Sequence, residues 1–211
     1  DVHSTVWYNQ TFNVRWFSIP AQVGFIVYQV AVVVSSIGLA RERELGTLEQ
    51  LFVMPLRRVE LVVGKAVPAL IVSLVNFGIV LAVAVWVFEV PLRGSLLLLT
   101  LVTVLFIMVE IGYGILISSI ARTQQQAILF VFVLAMIDIT FSGYLVRIKN
   151  LPGLLQVIAQ VVPLSHYLTI IRGVMLKQAG VAEIWPHAAA MLGIGLVVLL
   201  VAVRAVSRHL D

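Results

Sequence analysis

Five apolar stretches of about twenty or more residues, separated by short polar connections, set the first limit on what this chain can fold into. A hydrocarbon core of roughly 30 Å needs about 20 residues of a spanning helix, whereas a spanning strand needs about 10 with alternating polarity. That alternation is absent, so the sequence predicts an all-α membrane protein, a polytopic helical bundle. Spans are expected at 19–40, 62–88, 96–120, 127–146 and 185–206. Composition agrees, because 61% hydrophobic and 11% charged residues leave too little polar surface for a soluble globule of 211 residues.

The segment "NLPGLLQVIAQVVPLSHYLTIIRGVMLKQAG" is apolar but carries Gln156, Gln160, Pro163, Ser165, His166 and Arg172. So much polarity around a central proline suits short re-entrant or surface helices better than a crossing. The chain then divides into an external segment at 1–18, four spans over 19–146, an external or re-entrant helical segment at 147–184, and a last span with its tail at 185–211.

Orientation rests on two signals. Arg41, Arg43, Arg57, Arg58, Lys65, Arg122, Arg204 and Arg208 fall on one side against Arg15, Arg93, Arg147, Lys149, Arg172 and Lys177 on the other, a modest bias by which the positive-inside rule makes the first side cytoplasmic. Trp16, Phe17, Trp86, Phe88, Tyr144 and Trp185 gather at the opposite ends, as an outer interfacial belt would. The N-terminus is therefore expected outside and the C-terminus inside. An external start without a signal peptide points to a further span upstream of Asp1, giving six in the parent design.

Between the first two spans lies a charged island, "RERELGTLEQLFVMPLRR", at 41–58. Thr47 followed by Gln50 fits a capping box, Gly46 frees the chain to turn, and Pro55 ends the element. A short helix over about 48–54 results. Leu45, Leu48 and Phe52 repeat at helical spacing and leave Glu49 and Gln50 on other faces, so the helix is amphipathic and suited to the membrane surface. By composition alone such an island is a solvated loop whose charges pair with headgroups and each other. Thr123 with Gln126 repeats the capping pattern where the fourth span begins.

Several chemistries are excluded. The chain has no cysteine, hence no disulfide, thiolate nucleophile or Cys-ligated metal. It has no GxxxxGK[ST] phosphate loop, since "GKA" at 64–66 lacks the upstream glycine and the hydroxyl residue. HExxH and GxSxG are also missing, and the four histidines lie in separate segments. The net charge of +4 is spread over short connections, unlike a nucleic-acid footprint. Two acids do stand inside spans, Glu110 and Asp138. A charge at a helix centre costs about 2.5 to 3.5 kcal/mol on insertion scales, so each must face protein or water. They are either members of a translocation or proton path or inter-helix hydrogen-bonding groups. Gly112, Gly114, Ser118, Ala189 and Gly193 read as sites of close helix packing. As a single residue, His166 reads as locally hydrogen-bonded.

The stretch "RERELGTLEQLFVMPLRRVELVVGK" resembles the first cytoplasmic loop of ABC type-2 transporter permeases, the membrane subunits of ATP-binding cassette exporters. The similarity continues, in order, through "VPLRGSLLLL", "LISSIARTQQQA", "PLSHYLTIIRGVMLKQAG" and "WPHAAAML". It implies a six-span parent of which this sequence lacks the first. It also implies that the island is a coupling helix docking in a cleft of a separate ATPase subunit, with Glu42, Gly46, Thr47, Leu48, Glu49, Gln50 and Leu51 at the contact. ATP and Mg²⁺ would sit on that partner, this chain binding no cofactor or metal and having no catalytic residue. A second permease copy or a related subunit would complete the assembly in a plasma membrane, by expectation a bacterial inner membrane. Pro163, His166 and Arg172 would belong to the family's outer segment. The competing class is an ion-coupled transporter or channel using Glu110 and Asp138; five spans without an inverted repeat speak against it.

Overall fold

The computed structural model describes residues 14–47, 58–145, 148–150 and 152–207. Among these, seven α-helices form the bundle: α1 (Val14–Glu44), α2 (Arg58–Trp86), α3 (Leu96–Ile120), α4 (Gln124–Phe141), α5 (Gly153–Ala159), α6 (Pro163–Lys177) and α7 (Val181–Ser207), with a short 3₁₀ turn at Ile148–Asn150. Helices α1, α2, α3, α4 and α7 are the five long and apolar enough to cross a membrane. The chain is a polytopic helical membrane protein.

The third span falls where the sequence places it. The first and last run on as helix beyond both ends of the apolar stretch, because polar residues at a membrane boundary keep their backbone bonds most simply by staying helical; the second starts early, at Arg58, and ends at Trp86, short of the expected 88. The fourth is shorter than expected at its far end. Its last bond runs from Ser142 N to Asp138 O (2.8 Å), and Gly143, at φ +78°, turns the chain away. At its start Thr123 Oγ1 accepts from Gln126 N (3.2 Å), while the Gln126 side chain accepts from Arg122 N (2.8 Å). The reciprocal half of the box is thus shifted by one residue.

The core is the seam between α1 and α3, with α7 closing α3 from another side. Gly114 makes the seam possible, since a Cβ there would overlap Ser35 Oγ and come within 2.8 Å of Val32 O. On the α3–α7 side the packing is reciprocal. A Cβ on Gly112 would lie 2.8 Å from Val198 Cγ1, and one on Gly195 2.8 Å from Val109 Cγ2. Gly195 therefore does what Gly193 was expected to do, for nothing lies within 4 Å of a Cβ built at Gly193. Ser118 is more than small. Its hydroxyl oxygen accepts from Leu39 N (2.9 Å) and Ala40 N (3.0 Å), binding α3 to the end of α1.

Helices α5 and α6 meet at an 85° bend. Pro163 opens α6, where its missing N–H costs nothing. A helix resting on the bundle surface would expose one face. Instead Leu164, Tyr167, Leu168, Ile171 and Met175 are fully buried, and Tyr167 stacks on Phe106 (4.1 Å between centroids) while its hydroxyl meets Thr103 Oγ1 at 2.8 Å. Burial in protein is what an interrupted helix pair within a membrane requires.

The seam yields a paired prediction. Gly114→Ala should cost about 1 to 3 kcal/mol by overpacking. Gly193→Ala, with open space around it, should leave stability unchanged or slightly raised. Thermal unfolding of the two variants in the same detergent separates them, and equal melting temperatures would contradict the packing described.

Candidate functional site

The base of the 41–58 island is cross-linked by polar contacts to three other helices. Helix α1 ends in a Schellman arrangement: Gly46 stands at φ +71°, its N–H donates to Arg43 O (3.2 Å), and Thr47 N donates to Glu42 O (3.0 Å). The Thr47 hydroxyl donates to the same carbonyl at 3.3 Å. Thr47 thus closes the helix before it, and glycine is needed at 46 because the turn is left-handed. Leu48, Glu49, Gln50 and Leu51, expected to form the contact helix, lie outside the described residues.

Three consecutive charged side chains at this end reach three different helices. Glu42 forms an ion pair with Lys65 of α2. Arg43 spreads its guanidinium over the end of α3, Nη1 donating to Ala121 O (2.7 Å) and Nη2 to Ser119 O (3.1 Å). Glu44 Oε2 accepts from Gln124 N (3.0 Å) and Gln124 Nε2 (3.1 Å) at the start of α4. Both cappings suit the helix dipole, with a cation on the C-terminal carbonyls of α3 and an anion on the N-terminal amides of α4. The planar fork of arginine fits two carbonyls where lysine would reach one. Glu42 was expected on the partner-facing surface; one of its oxygens is engaged by Lys65. The sequence marks Arg43 and Lys65 only as cytoplasmic charges and Glu44 not at all. Only alternating charge beside a helix end hinted at them, and that pattern names no partner.

A second polar group lies deeper. Glu110 of α3 and Asp138 of α4, 1% and 6% exposed, are brought into one electrostatic cluster with Tyr28 of α1 and Tyr113 of α3. Glu110 Oε1 makes no hydrogen bond among the described residues, whereas the Tyr28 hydroxyl faces the Asp138 carboxyl. Neither tyrosine was signalled by the sequence, because an aromatic residue in an apolar run looks like core.

At the end of the bundle away from the island, Arg172 donates from Nε to Phe17 O (3.3 Å) and from Nη1 to Gly143 O (3.1 Å), with its guanidinium 3.9 Å from the Phe17 ring centroid. It pins α6 to the start of α1 and the turn after α4. His166 Nε2 lies 2.8 Å from Gln160 O, which can only accept, so that nitrogen carries the proton. His166 Nδ1 lies 3.0 Å from His187 Nδ1, one ring nitrogen donating to the other. The fold thus joins two of the histidines that the sequence keeps apart. No group of three or more His, Asp or Glu residues suited to a metal ion occurs among the described residues.

The Glu42–Lys65 pair can be measured by itself. Both side chains are partly exposed, at 20% and 29%, so a double-mutant cycle with Glu42→Gln and Lys65→Met should return a coupling of about 1 kcal/mol in thermal stability. A coupling near zero would mean that the pair does not hold α2 to α1.

Comparison with known proteins places these elements in a family. Residues 1–204 match the family model described as ABC-2 family transporter protein. The chain is 40% identical to "Probable multidrug ABC transporter permease YbhR" of Escherichia coli K12 over 179 residues, 85% of this chain and 49% of the relative. It is 29% identical over 177 residues to "Probable multidrug ABC transporter permease YbhS" of the same organism, 83% of this chain and 47% of the relative. It is 27% identical over 208 residues to "ABC transporter G family member 20" of Dictyostelium discoideum, 98% of this chain and 28% of the relative. The chain spans about half the length of the two bacterial permeases it matches. With a helical membrane bundle and a family model matched over nearly its whole length, the chain belongs to the ABC-2 family of transporter proteins.

Proposed function

We propose that the chain is the membrane-embedded part of an ATP-driven exporter, moved by a separate ATP-binding cassette subunit that grips residues 45–57. ATP and Mg²⁺ are held by that partner. This chain receives the displacement and passes it to the membrane helices, alongside a second copy or a related permease. The observation that carries the reading is the anchoring of α1 where the connection begins: Glu42, Arg43 and Glu44 reach α2, α3 and α4. A connection serving only to join two spans has no need of such a base. A rigid base lets a pull on the connection become a rigid-body movement of helices.

The side bearing the connection is cytoplasmic in this reading, and the membrane is a bacterial inner membrane. Support comes from the clustering of arginines there and from exposed Trp86 and Trp185 at the opposite end. The word multidrug in the relatives' names favours small drug-like cargo, with lipids and glycans as the comparison classes in a transport assay.

The test is a crosslink. This sequence has no cysteine, so a cysteine replacing Leu48, in a full-length permease with any cysteine outside this sequence replaced by serine, reports on the connection. In membranes containing the host's ATPases it should capture an ATP-binding cassette subunit, and replacing Glu49 and Gln50 should lower the yield at least fivefold. Capture of lipid and self alone, from a correctly inserted protein, would overturn the reading.

The convergence of Glu110 and Asp138 favours one second reading, ion-coupled transport by the acid pair. It requires uptake or efflux in nucleotide-free vesicles driven by a pH gradient and abolished by Glu110→Gln. The ATP-driven reading expects no such activity.

A further inference from the structure

The three helices that meet at the buried acid cluster are also the three tied together at the island end. Tyr28 stands on α1, Glu110 on α3 and Asp138 on α4. At the island end, Arg43 of α1 caps α3 and Glu44 of α1 caps α4, while Ser118 of α3 accepts two amides of α1. Measured along the helices at 1.5 Å per residue, the clamp is roughly 16 Å from Glu110 and about 21 Å from Asp138. We infer that Arg43 and Glu44 are positioning residues that make α1, α3 and α4 move as one body when the 45–57 connection is displaced, so that the displacement reaches the Glu110–Asp138 cluster. The inference rests on the ATP-driven reading and deepens it.

The geometry favours a mechanical junction over a passive surface contact. Both charges act on backbone groups at helix ends, so one flexible side chain stands between the joined helices where an ion pair between two long side chains interposes two. The contacts also differ in kind from the Glu42–Lys65 pair, which joins two side chains and leaves α2 more freedom. Gly114 lets α1 and α3 lie backbone against side chain along the same route, so the tied ends continue into a close-packed seam. Small shifts in such a seam are transmitted because packed cores resist continuous deformation.

The experiment uses the full-length permease assembled with its ATPase in lipid vesicles. Spin labels on cysteines replacing Leu45 and Ile120, each 62% exposed, report the distance between the ends of α1 and α3. The expected wild-type result is one narrow distance, the same with and without ATP. Arg43→Ala should broaden it and lower transport about tenfold, while ATP hydrolysis stays within about twofold and the ATPase still co-purifies. Glu44→Ala should uncouple in the same way. Glu44→Gln, which keeps an oxygen for Gln124 N, should retain half or more of transport. If Arg43→Ala fails to insert, Arg43→Lys, able to reach one carbonyl, should give intermediate coupling. Transport at the wild-type level despite a broadened distance would overturn the inference. So would a parallel fall in hydrolysis and transport, which is the signature of a merely structural contact. Failure of the Leu48 crosslink would sink the ATP-driven reading and leave the label distances untouched, so the two failures are distinguishable.

Discussion

A backbone polar group in hydrocarbon has to find its partner within the protein, and the helical arrangement of this bundle follows from that constraint. Several polar side chains of the spans add contacts between inward faces. Thr103 meets Tyr167, Ser118 receives the amides of Leu39 and Ala40, and Ser35 returns its hydroxyl to Ala31 O at 2.6 Å. The lipid-facing positions are left to Val, Leu and Ile, as Ile71, Val75 and Ile79 on α2 illustrate. Since apolar packing gives no hydrophobic advantage within lipid, close contact through glycine and shared hydrogen bonds is what holds α1 to α3.

The same constraint explains how much could be read from the sequence. Apolar length marks a crossing without reference to any neighbour, so all five spans were legible, one of them to the residue. Ends were less so, because they depend on local partners such as the Gly143 turn and the carbonyls around Arg172. Glycines could be recognised as packing residues but not assigned to a partner. Gly193 and Gly195 differ by two positions, and helix rotation alone decides which one faces Val109. The acids could be recognised as inward-facing because insertion cost forbids the alternative. That they share one cluster with Tyr28 and Tyr113 required three helices in register, which no linear pattern encodes. Resemblance named the island, yet its most engaged residues, Arg43 and Glu44, looked like ordinary juxtamembrane charge.

Placed together, the polar features form two levels joined by α1, α3 and α4. At one level, charges on consecutive residues hold helix ends by their exposed backbone groups. At the other, two buried carboxyl groups, on α3 and α4, lie within electrostatic range of each other and of Tyr28 and Tyr113. Helix α6 wedges in from the opposite end, its Tyr167 stacked on Phe106 of α3, so α3 is held along most of its length. In the ATP-driven reading α1 is the lever: one end receives the 45–57 connection and its middle carries Tyr28. The rest of the bundle fixes which helices follow that lever.

The most direct test of this account is a pair of structures of the full-length permease with its ATPase in lipid, one nucleotide-free and one ATP-bound. The account predicts that Arg43 keeps both carbonyls of α3 and Glu44 keeps Gln124 in each state, with α1, α3 and α4 displaced together by the movement of residues 45–57. An ATP-bound structure in which those contacts are broken and α1 has moved independently of α3 and α4 would contradict it.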